Sequence, residues 1–321
     1  MVLTNTTNAV AAKDLRYKPT LGFLKRDWQL YLLLLVPLAF VIIFKYAAYP
    51  GLRMAFMDFK PAKGYEGSAW VGFGTFEKIF KDKDFHRALQ NSLVFNFADL
   101  AIGFPAPIIL ALMLNELRMP RFKKVTQTIL YLPHFLSWAI VASVALSLFK
   151  PETGLVNIIL MNMGVIEKGI PFLTEKTNWA VSYLLIGVWQ SLGWGSIIYL
   201  AAMTGINAEL YEAATVDGAG RFGKIWHVTL PGIRPTMVTL FIMNLGRVMG
   251  SNFERISALS NPNVQREYAY QLAIYIVEKG LGAGMQFSRA TAVGLFQSLV
   301  GLLLVILSDR FVKFLGDDGL L

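Results

Sequence analysis

Six stretches of this 321-residue chain stay largely apolar for about twenty residues or more, the length a helix needs to cross a ~30 Å hydrocarbon core. They run approximately over 29–50, 91–114, 128–149, 180–203, 236–256 and 290–314. None shows the strict period-two alternation of a barrel strand, and a helix satisfies its backbone hydrogen bonds within itself. The expected fold is an all-α integral membrane protein with six transmembrane helices. A composition of 55% hydrophobic and 16% charged residues agrees, because it is too apolar for an ordinary soluble domain.

The same composition closes several function classes. With no Cys, disulfides, iron–sulfur clusters and thiolate metal sites are excluded, and His86, His134 and His227 are too scattered for a metal cluster, so no metal is expected. The formal charge of +9 reads as basic residues flanking spans rather than as a nucleic-acid surface.

Charge placement suggests a topology. Residues 1–28 carry Lys13, Arg16, Lys18, Lys25 and Arg26, and the first span is too long for a signal-peptide core and lacks a small-residue cleavage site after it. It is expected to remain as an anchor behind a cytoplasmic N-terminal segment. Arg118, Arg121, Lys123 and Lys124 crowd the loop after the second span, which is therefore expected to be cytoplasmic too. Six spans then place both termini inside, with 315–321 as a short cytoplasmic tail and 29–314 as the transmembrane domain. Outer loops fall at 51–89, 150–178 and 258–289. Pro105 and Pro107 predict a kink in the second span.

The stretch Gly218–Lys224, GAGRFGK, satisfies G-x-G-x-x-G and nearly matches a phosphate loop. Its surroundings oppose both. Ile225 stands where a phosphate loop has Ser or Thr, the approach is helical rather than extended, and no acid lies between Asp217 and Glu254 to hold a ribose. The helix has Asn207 as its cap, Glu209 in its first turn, and Leu210, Ala213 and Ala214 on one face. Asp217-Gly218 ends it in a turn, and Phe222, Ile225 and Trp226 mark a second helix that Leu230-Pro231-Gly232 is expected to break. An apolar helix–turn–helix in so short a loop calls for a protein partner or for lipid headgroups, and physics alone favours neither.

The residues YEAATVDGAGRFGKIWHVTLPGIRPT are similar to the EAA loop of ABC-importer permeases, with Glu212-Ala213-Ala214, Gly218, Ile225 and Leu230-Pro231 at the family spacing. KRDWQLYLLLLVP, WVGFGTFEKIF, GFPAPIILALMLNELR, QTILYLPHFLSW, GWGSIIYLAAMTGI and ATAVGLFQSLVGLLLVILSDR extend the likeness over nearly the whole chain. They resemble the carbohydrate branch of the type I permeases, in particular the polysaccharide and oligosaccharide subgroup and its alginate importers.

The resemblance implies a non-catalytic membrane subunit. Its expected partners are a second homologous permease subunit, two ATPase subunits that bind ATP and Mg, and an extracytoplasmic solute-binding protein. By carry-over, Glu212, Ala213, Ala214, Asp217, Gly218, Ile225, Leu230 and Pro231 form the coupling loop within 207–233 that docks on the ATPase. The implied work is alternating-access import of an oligosaccharide or polysaccharide across the bacterial cytoplasmic membrane.

The fifth apolar run is the least suited to lipid. Arg247 near its centre costs roughly 2.5 to 3.5 kcal/mol on an insertion scale, against about 0.3 to 0.6 returned by each large aliphatic residue. Asn244, Arg247, Ser251, Asn252 and Arg255 are therefore expected to face a central substrate pathway, several of them three or four residues apart. The alternative is that Arg247 pairs with an acid such as Asp99 and locks the bundle. A cation in place of the amide frequent in permeases for neutral sugars agrees with an anionic, uronate-type substrate.

Two rival classes fit less well. A proton-coupled secondary sugar transporter could use Asp99 or Arg247 as a relay, but internal repeats are not evident and the EAA loop would go unexplained. A membrane-embedded enzyme would need paired carboxylates or a metal constellation, and the intramembrane acids are too few.

Overall fold

The computed structural model describes residues 28–250, 252–261, 267–314, 316 and 319. The N-terminal segment before Trp28, Ser251 and most of the C-terminal tail lie outside the described residues. The chain divides into two units, one up to Arg53 and one from Met54 onward.

In the first unit, α1 (Trp28–Val41) leads into a π-helical turn, Ile42–Tyr46, and a 3-10 segment begins at Tyr49. No residue of α1 is buried and Leu, Val, Tyr and Phe cover it on all sides, as suits a helix surrounded by lipid.

The second unit opens with an antiparallel hairpin that the sequence did not suggest, β1 (Met57–Lys60) and β2 (Gly64–Trp70). Helix α2 (Gly74–Phe80) precedes the second span, which consists of α3 (Lys83–Gly103) and α4 (Pro105–Asn115). The interruption at Phe104 falls where Pro105 and Pro107 predict it, because Pro105 has no N–H to donate into the preceding turn. Helix α8 (Lys176–Thr204) is 29 residues long, roughly 43 Å at 1.5 Å per residue, and spans a bilayer with a turn or more to spare. Helix α14 (Phe287–Phe314) is the last span.

Between these come α5 (Pro120–Tyr131), α6 (Trp138–Leu148), α7 (Leu155–Asn162), α9 (Ala208–Val216), α10 (Arg221–Lys224), α11 (Leu230–Gly246), α12 (Phe253–Leu259) and α13 (Leu272–Leu281). Among the described residues, five helices are long and apolar enough to cross a membrane, or six when one bent pair counts as a span.

That pair corrects the expected third span, 128–149. Helix α5 with its 3-10 extension, Leu132–Phe135, meets α6 at 103°, the chain turning at the extended residues Leu136 and Ser137. Pro133 cannot donate into the ladder of α5, and Ser137 starts α6 by accepting from the N–H of Ile140. Gly193 on α8 allows the bend to close, since a Cβ there would collide with the carbonyl of Leu130.

The fifth span is corrected at both ends. It was expected over 236–256 and observed as a continuous helix over Arg221–Gly246. Leu230-Pro231-Gly232 does not break it: Ile225–Thr229 widens into a π-turn, and the N–H of Leu230 reaches back to the carbonyl of Ile225. This extra residue in the turn accommodates Pro231 without ending the helix.

Three apolar clusters hold the second unit together. One joins α3, α6, α8 and α12 through Phe95, Trp138, Trp179, Tyr183 and Ile256. The second packs Phe85, Met249, Leu272, Tyr275 and Val293, and the third packs Ile108, Ala111, Tyr199, Met203 and Ile233. At the crossing of α11 and α14 the backbones touch, since a Cβ on Gly301 would stand 2.6 Å from the carbonyl oxygen of Gly246. Small residues permit such close approach where no hydrophobic force drives helices together.

Candidate functional site

Helix α11 stops at Gly246, in the middle of the run expected to continue to residue 256. The chain then makes tight turns, Arg247 N–H to Asn244, Val248 to Leu245 and Gly250 to Arg247. It restarts as α12 when the Asn252 side chain accepts from the N–H of Arg255 at 3.0 Å. An interrupted helix at membrane depth leaves carbonyls that need donors. Two neighbouring spans supply them. Asn96 on α3 donates to the carbonyls of Val248 and Gly250 at 2.6 and 3.1 Å, and Gln297 on α14 donates to that of Met249 at 2.7 Å.

Beside this break lies a polar cavity of about 260 Å³. Asn96 and Asp99 of α3, Gly187 and Ser191 of α8, and Asn244, Arg247 and Arg255 line it. The two arginines are in different situations. Arg255 is 7% exposed and grips Asp99 with both arms of its fork, Nη1 to Oδ2 at 2.6 Å and Nη2 to Oδ1 at 3.2 Å. Nη2 also donates to the carbonyl of Tyr183 at 2.6 Å, and the guanidinium stacks on the Tyr183 ring, 3.8 Å from its centroid. Gly187 makes the seat possible, because any Cβ there would overlap the guanidinium. Arg247 is exposed to the cavity, and among the described residues its side chain has no ion pair or hydrogen bond. Since Asp99 neutralises Arg255, the lining carries one uncompensated positive charge.

The expected pathway residues are thus divided. Asn244 and Arg247 line the cavity, Asn252 caps α12 instead of lining it, and Ser251 lies outside the described residues. Arg255 borders the cavity but is committed to Asp99, so the acid suggested as a partner for Arg247 belongs to the other arginine. The single helical face inferred from spacing does not exist, because the helix ends at Gly246. Asn96, Gly187 and Ser191 escaped notice. A sequence signal was present, polar or small residues at i and i+3 (Asn96, Asp99) and at i and i+4 (Gly187, Ser191) inside apolar runs.

The loop at 207–233 forms a second candidate site. Asn207 caps α9 by accepting from the N–H of Glu209 at 3.1 Å, and Glu212 and Ala213 are exposed while Ala214 is half-buried. The helix ends in a Schellman turn, with Ala219 N–H on the carbonyl of Ala214 and Gly218 N–H on that of Thr215. Gly218 takes φ +80°, a conformation that side chains resist, and Asp217 precedes it exposed. The Tyr211 hydroxyl and the buried Thr229 hydroxyl, 3.0 Å apart, tie α9 to the π-turn. Ile225 and Leu230 are half-buried and Pro231 exposed, and Leu210, Val216, Phe222 and Trp226 project large apolar surfaces outward. Such a patch on a short loop marks an interaction surface.

Comparison with known proteins bears on the chain as a whole. Residues 91–317 match the family described as "Binding-protein-dependent transport system inner membrane component". The chain is 41% identical over 313 residues to the polygalacturonan/rhamnogalacturonan transport system permease protein YteP of Bacillus subtilis (strain 168), covering 98% of this chain and 96% of that protein. Among solved structures it is similar to a chain of a bacterial alginate ABC transporter in complex with an alginate pentasaccharide-bound periplasmic protein, with TM-score 0.81, 37% identity, and coverage of 94% and 100%. A bacterial ABC transporter involved in the import of the acidic polysaccharide alginate gives TM-score 0.80 at 38% identity, covering 92% of this chain and 99% of that one.

Proposed function

The chain belongs to the family of binding-protein-dependent transport system inner membrane components, as a sugar ABC-importer permease of the cytoplasmic membrane, and on that premise we propose that its cargo is an acidic oligosaccharide or polysaccharide of the alginate type. The observation that carries the proposal is Arg247, an unneutralised cation in a polar cavity where a span is broken. A charge within a membrane-spanning run is costly, so it persists where it has a task. A uronate offers one carboxylate per sugar, and the planar guanidinium fork fits a carboxylate in two-point contact. Asn96, Ser191 and Asn244 supply further donors and acceptors for sugar hydroxyls from the same wall. The relatives named for polygalacturonan and for alginate support the same choice of cargo.

In this reading the sugar is carried and not chemically changed. A solute-binding protein delivers it, a second homologous permease subunit completes the pathway, and ATP with Mg is held by two ATPase subunits outside this chain. Residues 212–214, 217–218, 225 and 230–231 form the coupling loop on which those subunits pull, and α10 continues without a break into α11. Movement of the loop is therefore passed along this helix to Asn244 near its far end and to Arg247 just beyond it. Alternating access follows as the ATPase pair closes and opens.

Two measurements test the proposal. The assembled complex with its solute-binding protein should hydrolyse ATP faster with uronate oligosaccharides than with neutral ones of equal length; equal stimulation by both would overturn the acidic cargo. Combined Glu212→Ala and Gly218→Val exchange should weaken retention of the ATPase subunit roughly 30-fold, since an interface hot spot is worth about 2 kcal/mol. Undiminished co-purification of the ATPase with that variant would remove the docking role.

A further inference from the structure

The sequence between the second and third spans gathers Arg118, Arg121, Lys123 and Lys124, with Glu116 the one acid nearby. In the structure Arg118, Arg121 and Lys124 are exposed, Lys123 is half-buried, and among the described residues none of the four makes an ion pair. They do not serve the helix they begin, because cations in a first turn oppose the helix dipole. Starting among them and running on beyond, Phe122, Val125, Ile129 and Leu132 are each more than half exposed and recur at intervals of three and four residues. The opposite side of α5 is occupied, packing on α8 where Leu130 meets Gly193. One end of the helix is thus strongly basic, and one side, uncovered among the described residues, is an apolar stripe about as long as α5.

We propose that this surface binds an anionic phospholipid, its phosphate held by Arg118, Arg121, Lys123 and Lys124 and an acyl chain lying along Phe122, Val125, Ile129 and Leu132. The charge complementarity selects the headgroup, and the stripe requires that the anion bring a hydrocarbon tail with it. A soluble phosphate or an acidic peptide would satisfy the cations and leave the stripe uncovered. The position gives such a lipid leverage. Helix α5 leads through Leu132–Phe135 into the 103° bend at Leu136-Ser137, and α6 beyond that bend contributes Trp138, which packs near the Arg255 guanidinium.

The test uses the full chain purified with its co-expressed partner subunits and reconstituted in discs of phosphatidylcholine mixed with phosphatidylglycerol. Native mass spectrometry then counts the lipids retained. Wild type should keep phosphatidylglycerol in preference to phosphatidylcholine, and each cation exchanged for Gln should reduce that preference about fivefold, more at low than at high salt. Phe122→Ser with Ile129→Ser, charges intact, should also lower retention. A control with Lys60→Gln and Lys63→Gln, on the hairpin, should change nothing. An unchanged preference in the Arg118/Arg121/Lys123/Lys124 variant would overturn the proposal, as would an equal loss in the control. Loss of the ATPase subunit with lipid retention intact would assign the basic end to a protein contact and overturn it equally.

Discussion

Asp99→Asn is expected to destabilise the folded permease by about 3 kcal/mol, at the low end of the 3–5 kcal/mol seen when one partner of a buried ion pair is removed. The low end applies because the Asp99 side chain retains 28% of its exposure, whereas the Arg255 side chain keeps only 9%. The charge left behind is the reason for the loss. Arg255 would remain enclosed by Tyr183, Trp138 and Gly187 with a neutral amide where its counter-ion stood, and among the described residues its Nε already lacks a hydrogen-bond partner. Joint exchange Asp99→Leu with Arg255→Met should recover most of the loss, because an apolar pair of similar volume avoids desolvating two charges. Thermal unfolding of the detergent-purified complex, followed by tryptophan fluorescence, reads both effects. If Asp99→Asn melts with wild type, the pair is not a clamp.

Arg247→Gln is expected to act on cargo rather than on folding. Hydrogen bonds to a charged group contribute about 1.5–3 kcal/mol, so the half-saturating concentration of an acidic oligosaccharide in transport-coupled ATP hydrolysis should rise roughly 10- to 150-fold. For a neutral oligosaccharide of equal length the change should stay within about twofold, since Gln retains donors for hydroxyls. Arg247→Lys should fall between, keeping the charge but losing the two-point fork. The melting temperature should hold, as Arg247 has no partner among the described residues to lose. An equal loss on acidic and neutral sugars would show that Arg247 shapes the pathway without reading charge.

The two arginines illustrate how differently the sequence informs about a membrane protein's parts. Apolar run length fixes that the chain spans a bilayer, because hydrocarbon thickness leaves a helix few alternatives. The turn at Asp217-Gly218 is equally local: a left-handed glycine after a capped helix needs no distant partner, and the structure has it at φ +80°. The proline-induced interruption at Phe104 was legible for the same reason. Pro231 shows the limit of that logic, since a π-turn one residue earlier absorbs it and the helix runs on.

What the sequence alone determined was membership of the apolar class, the number of runs, the turn at Asp217-Gly218 and the list of residues ill-suited to lipid. What only the tertiary structure decided was how those residues are used. The fifth run breaks at Gly246 because Asn96, 152 residues away from Val248, and Gln297 take over carbonyls that a continuous helix would have bonded itself. That break sends Arg255 to Asp99, 156 residues away, and into the space that Gly187 leaves open, while Arg247 is left facing the cavity. Helical spacing reports only which side chains share a face if the helix persists. Which cation is neutralised depends on distances between segments far apart in the chain, and those are set by packing.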